Sequence, residues 1–118
     1  MHEKIEAIVD GLGITVYRDF NDSLDESGEP ISDNYIVWNY SLIQGDGYAD
    51  DEPTRDICSV QIHWFVNTNT QIDGTIKQIK QNALEQEFTY PQVTILYESD
   101  TKLRHIIFET EISVEREV

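Results

Sequence analysis

The sequence predicts an α+β fold: one mostly antiparallel sheet with two helices packed on one face, in the order α-β-β-β-α-β-β. Three observations lead there. Residues 35–43 and 57–66 alternate apolar and polar side chains with period two, the pattern of strands that cover a core on one face. Residues 3–12 and 68–88 carry apolar side chains at helical spacing, which marks amphipathic helices. Strands also follow strands without regular helical crossovers, and this favours α+β over a doubly wound sheet.

In the first helix Ile5, Ile8, Val9 and Leu12 form the apolar stripe, and Gly11 and Gly13 stop it. "ITVYRDF" then reads as a short strand with Ile14, Val16 and Tyr17 available for packing. "NDSLDESGEPISDN", residues 21–34, is a long polar loop with few anchors, and the internal segment most prone to disorder. In 35–43, Ile36, Trp38, Tyr40 and Leu42 point one way, while Asn39 and Ser41 point the other. A second long loop, 44–56, carries Gly45, Gly47, Tyr48 and a run of acidic residues. In 57–66, Cys58, Val60, Ile62, Trp64 and Val66 share a face, and Ser59, Gln61 and His63 share the opposite one. Trp38 and Trp64 fall in phase with the apolar faces and read as core.

The second helix has a stripe of Ile72, Ile76, Ile79 and Ala83, widened by Leu84. Thr70 with Asp73 resembles a capping box. Gly74 costs that end up to ~1 kcal/mol against Ala, so packing must hold it. Pro91 ensures that the helix has ended. The remainder reads as a hairpin turning near Ser99–Asp100–Thr101, with Ile106, Phe108, Ile112 and Val114 on the buried face of its second strand. Residues 115–118 read as a flexible end. The polar sheet face, with Gln61, His63 and Arg104 or His105, is expected to meet water or a neighbouring subunit.

A length of 118 residues fits a single domain, 1–118. No window approaches the ~20 apolar residues of a membrane span, and the N-terminus lacks a signal peptide's shape. The single Cys58 excludes an internal disulfide and suits a reducing compartment. A soluble protein made in the cytoplasm is the expectation. The net charge of −15 argues against nucleic-acid binding and against anionic membranes. It permits DNA to pass an acidic wall without sticking.

Constellations that carry chemistry are weak. Asp46, Asp50, Asp51 and Glu52 lack the alternate-residue ligands and closing bidentate Glu of an EF-hand, and read as a solvated acidic loop. His63 and His105 can meet across strands, but Cys58 points to the other face from His63, so a tetrahedral zinc site does not assemble. "GDG" precedes no helix and no Lys follows it, and there is no GxSxG. No catalytic residue, metal or cofactor is expected. Tyr48 stands outside either strand's phase and reads equally as a partner contact or as a ring tucked against the rim.

Taken together, "YIVWNYSLIQGDGYADDEP", "VQIHWFVN", "IDGTIKQIKQNALEQEF" and "ILYESDTKLRHIIFETEI" resemble the small tail-completion proteins of long-tailed phages and Gram-positive prophages. These are the tail terminators and tail-to-head joining proteins. The resemblance covers roughly residues 1–115. It implies a structural virion protein at the head–tail junction, assembled in the host cytoplasm. It implies a ring, usually a hexamer, that caps the tail tube, docks on the head connector and lets DNA through without specific binding. On this reading Gly45, Asp46, Gly47, Tyr48, Asp50 and Asp51 contact a partner protein, either the major tail tube protein or the head connector. Asp25, Glu26 and Glu29 form a second contact loop, and His63, Arg104 and His105 fall on the subunit interface. A head-completion or connector adaptor shares the size and composition. A small ligand-binding α+β domain and an acidic DNA mimic are the alternatives from other classes.

Overall fold

A computed structural model describes residues 2–18, 20–49 and 52–115; at 2, 42–49, 52–54 and 115 it describes the backbone. The chain folds as helix α1 (His2–Val9), strand β1 (Thr15–Tyr17), a 3₁₀ turn (Phe20–Ser23), β2 (Asn34–Ala49), β3 (Glu52–Asn67), α2 (Asp73–Glu85), β4 (Gln92–Glu98) and β5 (Leu103–Glu115). This is the predicted α+β order. The five strands make one sheet in the order β1-β2-β3-β5-β4. Every pair is antiparallel except β1–β2. The exception follows from the connection: residues 18–33 carry the chain back to the start of the sheet, and a crossover of a dozen or more residues lets two neighbours run parallel.

Both helices lie on one face. Ile5, Ile8 and Val9 of α1 and Ile79 and Ala83 of α2 are buried against Trp38, Val60, Ile62, Trp64, Ile106 and Phe108. The period-two strands supply a flat apolar surface, and each helix needs one stripe to cover it. Gly11 and Gly13, with φ of +80° and +73°, turn the chain out of α1, a conformation that costs glycine little. Asn82 Nδ2 donates to the Ile8 carbonyl at 2.9 Å, tying α2 to one of the carbonyls left open at the end of α1. Trp64 Nε1 donates to Asn34 Oδ1 at 2.7 Å. The Arg18 guanidinium sits 4.2 Å over the Trp38 ring.

Three local readings change. A register shift between Tyr40 and Leu42 places Ile43, not Leu42, opposite Cys58; a bulge inserts one residue and resets the alternation beyond it. Helix α2 begins at Asp73 with Ile72 as N-cap and no side-chain cap, while Thr70 Oγ1 donates to Asn67 Oδ1 instead. Leu84 is 48% exposed, so the buried stripe of α2 is the narrower one.

The largest difference concerns 44–56, read from sequence as a loop. There the ladder continues from Gln44↔Ile57 through Asp46↔Arg55 to Ala49↔Glu52. Asp50 and Asp51 lie outside the described residues. Glycine and acidic residues disfavour strands only by amounts that context overrides, and here a strongly paired base propagates the ladder. β5 follows β3 as far as Arg55↔Glu115. Past that level, among the described residues, β2 and β3 pair with each other as a hairpin arm. The radius of gyration is 15.9 Å and the longest extent is 53 Å, against about 13 Å expected for the gyration radius of a compact chain of this length.

Candidate functional site

The arm is one candidate site. It places Gly45, Asp46, Gly47 and Tyr48 on β2, with Tyr48 at the register position opposite Pro53. These four expected contact residues therefore lie on a paired ladder and not on a free loop.

The second candidate is the sheet face away from the helices. Here the strands bury side chains on both sides at once. Tyr35 and Val37 of β2, Phe65 of β3 and Leu103 of β5 form a small second core, with Tyr17 of β1 packed against it. Phe65 stacks on Tyr35 (4.8 Å between centroids) and on His105 (4.2 Å). Residues 20–31 cover part of this face instead of projecting from it. Phe20 meets His63 and Phe65 edge-on at 5.3 and 6.0 Å. Ser23 is buried, and its hydroxyl donates to the Phe20 carbonyl at 2.6 Å. A bridge joins Leu24 to Pro30. Asp25 Oδ1 accepts from the Ser27 hydroxyl, the Ser27 amide and the Glu29 amide. These donors, the Ser27 hydroxyl first, hold its carboxyl below the usual carboxylate range. Of the three acidic residues expected to touch a partner, Asp25 thus folds its own turn, while Glu26 and Glu29 are exposed.

Beneath Phe20 a line of hydrogen bonds crosses four strands. Asn39 Nδ2 donates to the Tyr40 carbonyl, which turns Oδ1 toward His63 Nε2, 3.1 Å away. His63 Nδ1 lies 2.7 Å from His105 Nε2, and His105 Nδ1 lies 3.1 Å from Glu98 Oε1. An amide oxygen only accepts, so His63 Nε2 carries a hydrogen. Burial, and then the neighbouring imidazole, push the His63 pKa down to about 4. At neutral pH its Nδ1 is therefore bare and accepts from His105 Nε2. Between His105 Nδ1 and Glu98 there is room for one proton. Burial lowers His105 and raises Glu98, pressing both toward their neutral forms. One shared proton satisfies the geometry, as carboxylic acid with imidazole or as carboxylate with imidazolium.

This line shares a proton and contains no hydroxyl or thiol. Two nitrogens at 2.7 Å are also closer than the roughly 3.3 Å that ~2.0–2.1 Å bonds to a shared tetrahedral ion impose. Cys58 is buried on the helix face, and burial pushes its thiol up. Among the described residues no three His, Cys, Asp or Glu side chains are placed to hold a metal ion.

The predicted trio of His63, Arg104 and His105 is thus divided. The two histidines meet, with His63 only 8% exposed under the chain's own Phe20. Arg104 stands opposite Val66 and lines a cleft of ≈ 700 Å³ with Ile95 and residues 68–73 on the other side of the sheet. Sequence reasoning missed Asn39, Glu98 and Phe20 as partners of the pair. One signal was available: in "YIV" and "WFV" consecutive residues are apolar, which marks strands buried on both faces. A cleft of ≈ 530 Å³ lies between residues 20–30 and the sheet, lined by Leu24, Pro30, Tyr35, Leu96, Thr101 and Glu98 among others.

The fold and its sites thus define an α+β chain with one elaborated sheet, a paired arm and a proton-sharing line. No protein-family model matches the chain, and no curated protein matches it. Among the described residues no helix is long and apolar enough to cross a membrane.

Proposed function

We propose that this chain is a non-enzymatic virion assembly protein, a tail terminator or tail-to-head joining protein that forms a ring, caps a phage tail tube and docks on the head connector. The observation that carries the reading is the arm, in which β2 and β3 continue as a paired ladder from Asp46↔Arg55 to Ala49↔Glu52. A paired ladder of this length adds reach, and the body beneath it supplies the rigidity. Glycines and acidic residues on such an arm suit contact with another protein. The resemblance of the strand, arm and final hairpin sequences to tail-completion proteins supports the same reading. A ring of chains each carrying −15 would surround DNA with like charge and let it slide.

The test is electron microscopy of particles assembled without the protein. Unjoined heads or overlong tails are expected, and normal virions would end the proposal. Pull-down adds the partner. Retention by tail-tube protein is the expected result, whereas retention by portal protein alone makes the chain a head-completion adaptor.

A further inference from the structure

Among the described residues the sheet ends in two open edges. On one side β4 pairs with β5 and has no outer neighbour among those residues. On the other, β1 covers β2 only at Tyr35–Val37, so from Trp38 outward β2 has no partner strand on that side among the described residues. Proteins ordinarily guard such edges with lysine, proline or a bulge. Strand β4 has none of these. Its only charge is Glu98 at its last position, Pro91 precedes it, and its register with β5 is unbroken. Ile95, Leu96 and Tyr97 are 53%, 47% and 60% exposed, so apolar surface is left on both faces of the strand. In a chain with 26% charged residues and net −15, this nearly neutral strand is where a second copy meets the least repulsion.

Strand direction selects how the copies meet. β2–β3, β3–β5 and β5–β4 are each antiparallel, so β4 runs opposite to β2 and to β1, which is parallel to β2. Laid beside the β1–β2 edge of a like-oriented copy, β4 forms an antiparallel pair. The two edges differ, so the contact is head-to-tail, the kind that closes into rings. Heights also match: the register line Thr15–Tyr35–Phe65–His105–Leu96 crosses all five strands.

We infer that β4 is the seam through which copies of this chain join, its open edge pairing antiparallel with the β1–β2 edge of the next copy to run one sheet around the ring. The inference rests on the ring reading above and names the edges that meet.

The experiment measures native particle mass for the full chain, for Ile95→Lys/Leu96→Lys, and for Thr15→Cys paired in turn with Leu96→Cys and Thr94→Cys under oxidation. Circular dichroism verifies that each variant is folded. A ring for the wild type, a folded monomer for the lysine variant, and a cross-linked ladder for at least one cysteine pair are the expected results. A ring that survives both lysines overturns the seam and leaves the ring reading standing. A wild type that stays monomeric at all concentrations, alone and on tail tubes, sinks the ring reading and the seam with it. Covalent dimers from Leu96→Cys alone mean two-fold β4–β4 pairing and overturn the head-to-tail seam.

Discussion

The two halves of the β2–β3 hairpin contrast sharply. At its base, residues 34–40 and 60–67, the ladder is covered by helices on one face and by Phe20 and the second core on the other. Toward its far end β3 pairs with β5 as far as Arg55, and beyond it, among the described residues, β2 and β3 pair with each other. One hairpin therefore holds the best-buried part of the sheet and carries its ladder on to Ala49↔Glu52. On the proposed reading, burial at the base anchors the ladder and its outer residues serve contact.

The strongest way to break this contrast is to hollow the base. Trp64→Ala removes a fully buried indole and its bond to Asn34, and is expected to cost about 3–5 kcal/mol in denaturant unfolding. A cost below ~1 kcal/mol would show that the base is not the anchor.

Acidification tests the second face. The unfolded chain protonates His63 near its ordinary 6.5, while the folded chain does so only near about 4. Unfolding then binds a proton in that window, so stability is retained above pH 6.5 and falls as pH drops toward 4, by at most about 3 kcal/mol. His63→Gln should flatten this part of the profile, and an unchanged slope would refute the proton-sharing line. Phe20→Ala, which uncovers the imidazole, should cost about 1 kcal/mol and raise the His63 pKa measured by NMR titration. A pKa that stays near 4 would show that Phe20 does not seal the line.

The arm should give the smallest folding effect. Tyr48→Ala is expected to change stability by no more than ~0.5 kcal/mol while reducing retention on tail tubes. A large loss of stability would place the arm inside the folding unit. Self-association should weaken at low ionic strength, where repulsion between chains of −15 is least screened. Sedimentation across a salt series reads this directly, and the reverse trend would count against a seam between like-charged copies.

Period two at 35–40 and 57–66 and helical spacing at Ile5, Ile8, Ile79 and Ala83 were readable from the chain alone. These patterns record which side of each element faces apolar neighbours, and the interior requires that of any fold using them. They sufficed for the α+β class, the element order, both helices on one face and the burial of both tryptophans. Strand parity also let His63 and His105 meet, as they do. The bulge at Tyr40/Leu42, the ladder through 44–49 and 52–57, and the joining of Asn39 and Glu98 to that histidine pair were not written in any local pattern. Each depends on backbone pairing between strands distant in sequence. Such pairing is made by amide and carbonyl groups common to nearly every residue, so side-chain periodicity cannot announce where a ladder stops, where it slips, or which polar groups it brings within hydrogen-bonding reach of one another.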